Sequence, residues 1–181
     1  MSSPHNIIDK PTEDVLAIVS LGSNLGSDKG DSAEILRQAL NELQALSLKP
    51  LLTSSFYRTA PIESPPDAPE FLNAITLLSV APQNLSAAEL LQSLLQIEVV
   101  YGRRRSGGIN EPRTLDLDLI SYGNLQHHTP ALELPHPRAH LRGFVMAPLA
   151  EVAPDYILPG QAQTAQQLSL SLVSNQSISR L

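Results

Sequence analysis

Apolar and polar positions follow two periods along this chain, and each change of period marks an element. Residues 15–21 are a short, β-branched apolar run that stops at Gly22-Ser23-Asn24-Leu25-Gly26, which predicts a buried strand entering a tight loop. From 32 to 46 the residues Ile35, Leu36, Ala39, Leu40, Leu43 and Leu46 recur three and four apart, as one helical face requires, and Lys49-Pro50 closes the segment. Residues 51–58 and 71–81 have strand composition, and the prolines at 65, 66 and 69 keep the connection between them out of a sheet. Ser86-Ala87-Ala88-Glu89 is a capping box ahead of Leu90, Leu91, Leu94, Leu95 and Ile97, so a second amphipathic helix follows and ends at Gly102. Residues 114–122 alternate as a strand before a Gly123-Asn124 turn, and 143–152 reads as a short helix in spite of Pro148.

The order strand, helix, two strands, helix, strand predicts an α+β fold, a ferredoxin-like layered sandwich with a mainly antiparallel sheet and helices packed on one side. One domain is expected over 15–160, with a flexible N-terminal tail at 1–14 and a Gln- and Ser-rich C-terminal tail or short helix at 161–181. There is no internal repeat. The charged fraction of 17% is low, and 18 acidic against 12 basic residues give a net charge of −6, which argues against a general nucleic-acid binder. A phosphate site must therefore be local. The absence of cysteine excludes disulfides and thiolate metal sites. Apolar runs fall short of the ~18 residues of a membrane span, and the polar N-terminus lacks the pattern of a signal peptide, so a cytoplasmic protein with no membrane partner is expected.

The most informative segment is Arg113-Thr114-Leu115-Asp116-Leu117-Asp118-Leu119-Ile120. On a strand Asp116 and Asp118 share one face, about 7 Å apart at Cα, with the leucines on the other. Two carboxylates so close repel one another unless a cation lies between them or one is protonated, and hard divalent ions would meet that need. A solvated acidic face accounts for the same spacing. Arg103-Arg104-Arg105 and Arg113 flank the pair, and Gly107 and Gly108 suit a loop that closes over phosphate oxygens as a lid; a solvated basic loop fits those residues equally well. His127 and His128 read as exposed, and His136 and His140 lie in a proline-rich loop that favours a structural role. Arg37, on the first helix, reads as a solvated charge. The Gly22-Ser23-Asn24 loop is a weak anion-cradle signal without the Lys and Ser/Thr of a P-loop.

Five segments in order resemble the 6-hydroxymethyl-7,8-dihydropterin pyrophosphokinase family: Leu21-Gly22-Ser23-Asn24-Leu25-Gly26, Ser55-Phe56-Tyr57-Arg58-Thr59-Ala60-Pro61, Phe71-Leu72-Asn73-Ala74, Pro112-Arg113-Thr114-Leu115-Asp116-Leu117-Asp118, and Leu134-Pro135-His136-Pro137 through Arg142-Gly143-Phe144. The resemblance covers residues 15–159. It implies transfer of the β,γ-pyrophosphate of ATP to the hydroxymethyl group of a pterin alcohol, with release of AMP, as a step in folate biosynthesis. It also implies two Mg²⁺ ions on Asp116 and Asp118. Arg103, Arg113 and Arg142 would neutralise phosphates, with His136 at the nucleotide and Glu98 and Leu119 beside the adenosine. The pterin would lie between Phe71 and Phe144, with Asn73, Thr59 and Ala60 at its polar edge and Ile62 lining the slot. No protein partner is required by this reading. Ser106, Asn110 and Glu111 depart from the family's pattern and bear on lid closure. A metal-dependent phosphohydrolase is the alternative, since the same groups could serve water as the acceptor.

Overall fold

The computed structural model describes residues 13–60, 69–103, 112–173 and 177–181. Strand β1 (Val15–Ser23) lies inside the main sheet, antiparallel to β4 (Phe71–Val80) on one side and to β5 (Asp116–Tyr122) on the other. Beyond β4 come β3 (Tyr57–Thr59) and then β8 (Ile178–Arg180), giving the order β5-β1-β4-β3-β8, with β2 (Leu52–Thr53) also paired to β4. A separate hairpin joins β6 (His127–Thr129) to β7 (Leu132–Leu134). The strand expected at 51–58 is broken at Ser54, whose hydroxyl accepts from the Ile75 amide (3.0 Å) and so takes the place of a backbone acceptor.

Helices α1 (Ser32–Leu46) and α2 (Ala87–Val100) cover one face of the sheet, and α3 (Gly143–Val152) and α4 (Ala165–Val173) cover the other. This corrects the expectation of helices on one side. The reason is legible in β1, where neighbouring residues are buried in alternate directions: Ala17, Val19 and Leu21 pack with Ile35, Leu36 and Leu94, while Ile18 packs with Ile75, Ile120, Met146 and Leu149. A strand apolar on both faces needs cover on both. Helix α1 starts at a capping box in which Asp31 accepts from the Glu34 amide and Glu34 accepts from the Asp31 amide (2.9 Å each). Pro148 costs α3 the bond its amide would have made to the Phe144 carbonyl, and burial of Val145, Met146 and Leu149 holds the helix in its place. Among the described residues, no helix is long and apolar enough to cross a membrane.

Candidate active site

A cavity of about 530 Å³ opens over one end of β1, β4 and β5. Its floor is Gly22, paired to Asn73 on β4 and to Asp116 on β5. A Cβ there would come within 3.2 Å of Asn73 Oδ1 and 3.8 Å of Asp116 Cβ, so a glycine lets the strand pass between two side chains that face the cavity.

One end is charged. Asp116 and Asp118 project from β5 beside Arg103, Arg113, Arg138, Arg142 and His136, four guanidinium groups against two carboxylates in a chain whose net charge is −6. The end of α2 aims Arg103: Gly102 adopts φ 84°, the Gly102 amide donates to Val99 and the Arg103 amide to Glu98, a Schellman turn that sends the side chain back over the helix end. There its guanidinium bonds both Glu98 and Asp116. Arg113 holds the other Asp116 oxygen at 2.8 Å, and Arg142 stands 3.6 Å from Asp118. Glu98, 2% exposed, also accepts from the Leu117 amide at 2.8 Å, which ties α2 to β5.

These contacts divide the two aspartates. Asp116 is forked by two arginines, whereas burial, and then the charge of Asp116, pushes the Asp118 pKa above its ordinary 3.8 against the pull of His136, Arg142 and Arg103. Burial pushes His136 down; Asp118 opposes the fall, and Arg142 and Arg138 add to it, which favours a neutral ring. Burial opposes the charge of Arg103, but Asp116 and then Glu98 outweigh it and raise its pKa. Asp118 thus sits where a cation is wanted. Among the described residues no three or more His, Cys, Asp or Glu side chains are grouped so that they could hold a metal ion by themselves. A hard ion held by one or two carboxylates and completed by phosphate oxygens and water, the usual manner of Mg²⁺, fits that donor set.

The other end is neutral. Thr59 comes from β3 and Ala60 from just beyond it, Phe71 and Asn73 from β4, and Phe144 from the first turn of α3. Asn73 Nδ2 donates to Thr59 Oγ1 at 2.8 Å, which fixes the amide's orientation. Asn24 joins the two ends: its side-chain oxygen accepts from the Arg113 amide (2.8 Å), its own amide donates to the Arg113 carbonyl (3.1 Å), and its Nδ2 donates to the Pro69 carbonyl (3.3 Å). The Arg113 guanidinium lies 5.8 Å from the Phe71 ring centroid, and that of Arg142 lies 5.4 Å from Phe144.

The cavity therefore gathers Arg103, Arg113, Asp116, Asp118, His136 and Arg142 with Thr59, Ala60, Phe71, Asn73 and Phe144. Glu98 and Leu119 are not on its wall. Glu98 lies buried behind Arg103, and Leu119, 4% exposed, belongs to the core shared with α1 and α2. Ile62 and the lid positions Ser106, Gly107, Gly108, Asn110 and Glu111 lie outside the described residues. Gly22, Asn24 and Arg138 were not assigned from the sequence. The tight loop after β1 signalled the first two, but only the fold brings that loop against Arg113.

Comparison with known proteins agrees across most of the chain. The model of the family described as "7,8-dihydro-6-hydroxymethylpterin-pyrophosphokinase (HPPK)" matches residues 18–154. A 2-amino-4-hydroxy-6-hydroxymethyldihydropteridine pyrophosphokinase of Synechocystis sp. is 40% identical over 167 residues, covering 92% of this chain and 80% of the relative. The Haemophilus influenzae protein of the same name is 40% identical over 146 residues, covering 80% and 86%. A mitochondrial folate synthesis bifunctional protein of Pisum sativum is 34% identical over 152 residues, covering 83% of this chain and 28% of its own. Among solved structures, Plasmodium falciparum wild-type HPPK-DHPS with pteroate aligns at a TM-score of 0.68 over 93% of this chain and 46% of that one, and at 13% identity it speaks for the fold alone. The chain thus spans about half the length of that structure.

Proposed function

Because the chain belongs to the 7,8-dihydro-6-hydroxymethylpterin-pyrophosphokinase family, as the match over residues 18–154 shows, we propose that the charged end of its cavity holds the triphosphate of ATP and the neutral end holds the pterin alcohol. The reaction of the family joins the hydroxymethyl oxygen to the β-phosphorus as the bond from that phosphorus to the α,β-bridging oxygen breaks. AMP leaves with the electron pair, and the alcohol's proton passes to water. The observation that carries the assignment is the single cavity with a four-arginine, two-aspartate end and a two-phenylalanine end.

Arg103, Arg113 and Arg142 neutralise phosphate oxygens, and each is already partly desolvated by the wall behind it, which strengthens its pull on a phosphate charge. Glu98 acts through Arg103 by holding its guanidinium on the cavity side of α2. His136, kept neutral by burial, bonds the nucleotide without adding charge. Asp116 and Asp118 would hold two Mg²⁺ ions, which would supply positive charge to phosphate oxygens and to the acceptor hydroxyl. Phe71 and Phe144 grip the pterin ring, and Asn73, Thr59 and Ala60 read its polar edge. The placement of attacking oxygen and phosphorus in one cleft supplies the remainder of the catalysis. We place the reaction in the cytoplasm, consistent with a chain that contains no cysteine.

The test is direct. Purified protein incubated with ATP, Mg²⁺ and 6-hydroxymethyl-7,8-dihydropterin should release AMP in step with a pterin pyrophosphate. ADP, or free phosphate formed without the pterin, would reject the assignment and favour a phosphohydrolase.

A further inference from the structure

The C-terminal strand is bonded into the back of the neutral wall. Strand β3, which carries Thr59 into the cavity and leads to Ala60, is only three residues long and is held between β4 and β8. Tyr57 pairs with Asn73 on one side and Arg180 on the other, while Thr59 pairs with Phe71 and Ile178. Further bonds extend the zipper at both ends, from the Leu181 amide to the Phe56 carbonyl (2.9 Å) and from the Ala60 amide to the Ser177 carbonyl (3.4 Å).

A polar knot fastens this three-strand edge to α3. The Glu151 carboxylate accepts from the Ser55 hydroxyl (2.9 Å), the Ser55 amide (3.2 Å) and the Tyr57 hydroxyl (2.9 Å), and it pairs with Arg180 at 2.9 Å. Arg180 Nε also donates to the Ser55 hydroxyl (2.9 Å). Glu151 stands seven residues after Phe144 on α3, so the two lie on the same face of the helix, about 10 Å apart along its axis. One end of α3 therefore carries the ring that lines the cavity, and the other carries the carboxylate that ties α3 to β3. The knot thus joins the helix that carries Phe144 to the strand that carries Thr59.

We infer that Glu151 and Arg180 are positioning residues for the pterin end of the cavity, and that the chain beyond residue 176 is a working part of that site. Glu151 links the two walls, and Arg180 supplies the charge that keeps a carboxylate between them. Its low pKa agrees: burial opposes the charge, and the bonds from Ser55 and Tyr57 with the charge of Arg180 outweigh it. Most of the phosphate end is built on β5, α2 and the Arg113 segment, away from the knot, and Arg142, at the N-cap of α3, joins it from the far end of the helix that carries Glu151.

This rests on the assignment of the pterin to the neutral end, and the experiment keeps the two apart. Wild type, Arg180→Ala, Arg180→Lys, Glu151→Gln and a chain ending at residue 173 are assayed for AMP release with each substrate varied in turn, and backbone amide exchange is followed at 57–60 and 116–122. Arg180→Ala and Glu151→Gln are expected to raise KM for the pterin alcohol by about tenfold, the equivalent of one lost charged hydrogen bond. KM for ATP moves much less than KM for the pterin alcohol, lysine at 180 restores part of the loss, and exchange quickens at 57–60 alone. The truncated chain shows the same selectivity with a larger change. An unchanged pterin KM in both point variants would overturn the inference, and so would equal rises in both KM values with faster exchange throughout, the mark of general destabilisation. A wild-type protein that forms no AMP defeats the substrate assignment instead, and quickened exchange confined to 57–60 in Arg180→Ala still reports on the knot.

Discussion

At the charged end of the cavity each carboxylate already has a guanidinium beside it, while at the other end the walls are neutral groups bonded to one another. Asp116 lies between Arg103 and Arg113, so a triphosphate bound as proposed would draw bonds away from partners already made. Asn73 and Thr59, by contrast, keep their mutual bond and offer their remaining polar atoms to a ligand. The first arrangement stores charge that a ligand rearranges, and the second is a preformed surface. Substitutions at the charged end should therefore fall on turnover, and those at the neutral end on the affinity for one substrate.

The largest effect is expected at the carboxylates. Asp116→Ala and Asp118→Ala should each lower kcat by at least ~10³-fold, because each would remove a ligand from the ions proposed to stabilise the moving phosphoryl charge. Far-ultraviolet circular dichroism should stay unchanged, and more than a tenth of wild-type turnover in either variant would count against metal on this pair. Arg113→Ala comes next, at roughly 10²-fold, with Arg113→Lys in between because a point charge restores attraction without the planar fork. Both should leave the pterin KM less affected than kcat.

The contrast between the two ends was only half visible in the sequence. Alternation alone put Asp116 and Asp118 on one face of a strand, and Arg103 and Arg113 announced themselves by proximity in the chain. The neutral end was named only through family resemblance, since Thr59 and Asn73 carry no charge and become a pair only when β3 and β4 align. Arg138 was hidden because a lone arginine between proline and alanine has no periodic context. Glu151, in the helix expected at 143–152, carries no pattern that points across to β3, and Ile178-Ser179-Arg180 is too short and polar to read as a strand without its partner β3. Local pattern sufficed where one element carried the signal, and it failed where two distant segments had to meet.

Smaller effects sharpen the comparison. Thr59→Val should raise the pterin KM by about tenfold and leave the ATP KM alone, since it removes the acceptor that orients Asn73. A parallel rise in the ATP KM would show that the two ends are not separable. Thermal melting of the metal-free protein should then distinguish the two aspartates. Asp118 has a folded pKa above 3.8, so its ionised form costs stability at neutral pH, and Asp118→Asn should raise the melting temperature, with the gain vanishing as the pH falls below 3.8. Asp116→Asn should lower it, because the variant keeps Arg103 and Arg113 but removes the charge they share.

The smallest effect belongs to Arg37, and it provides the control for Arg113. Both guanidinium groups stand over a phenylalanine ring, Arg37 at 5.7 Å from the Phe56 centroid and Arg113 at 5.8 Å from that of Phe71. The ring contact is therefore the same, and only the surroundings differ: Arg37 is exposed on α1, whereas Arg113 lines the cavity and bonds Asp116. An exposed contact of this kind is worth about 0.5 kcal/mol, so Arg37→Ala should lose no more than that in a denaturant titration and keep its turnover. The loss in Arg113→Ala beyond that amount measures what the cavity demands of a cation. Equal and small losses in kcat for the two variants would mean that Arg113 only covers a ring, and the triphosphate would have to lie elsewhere.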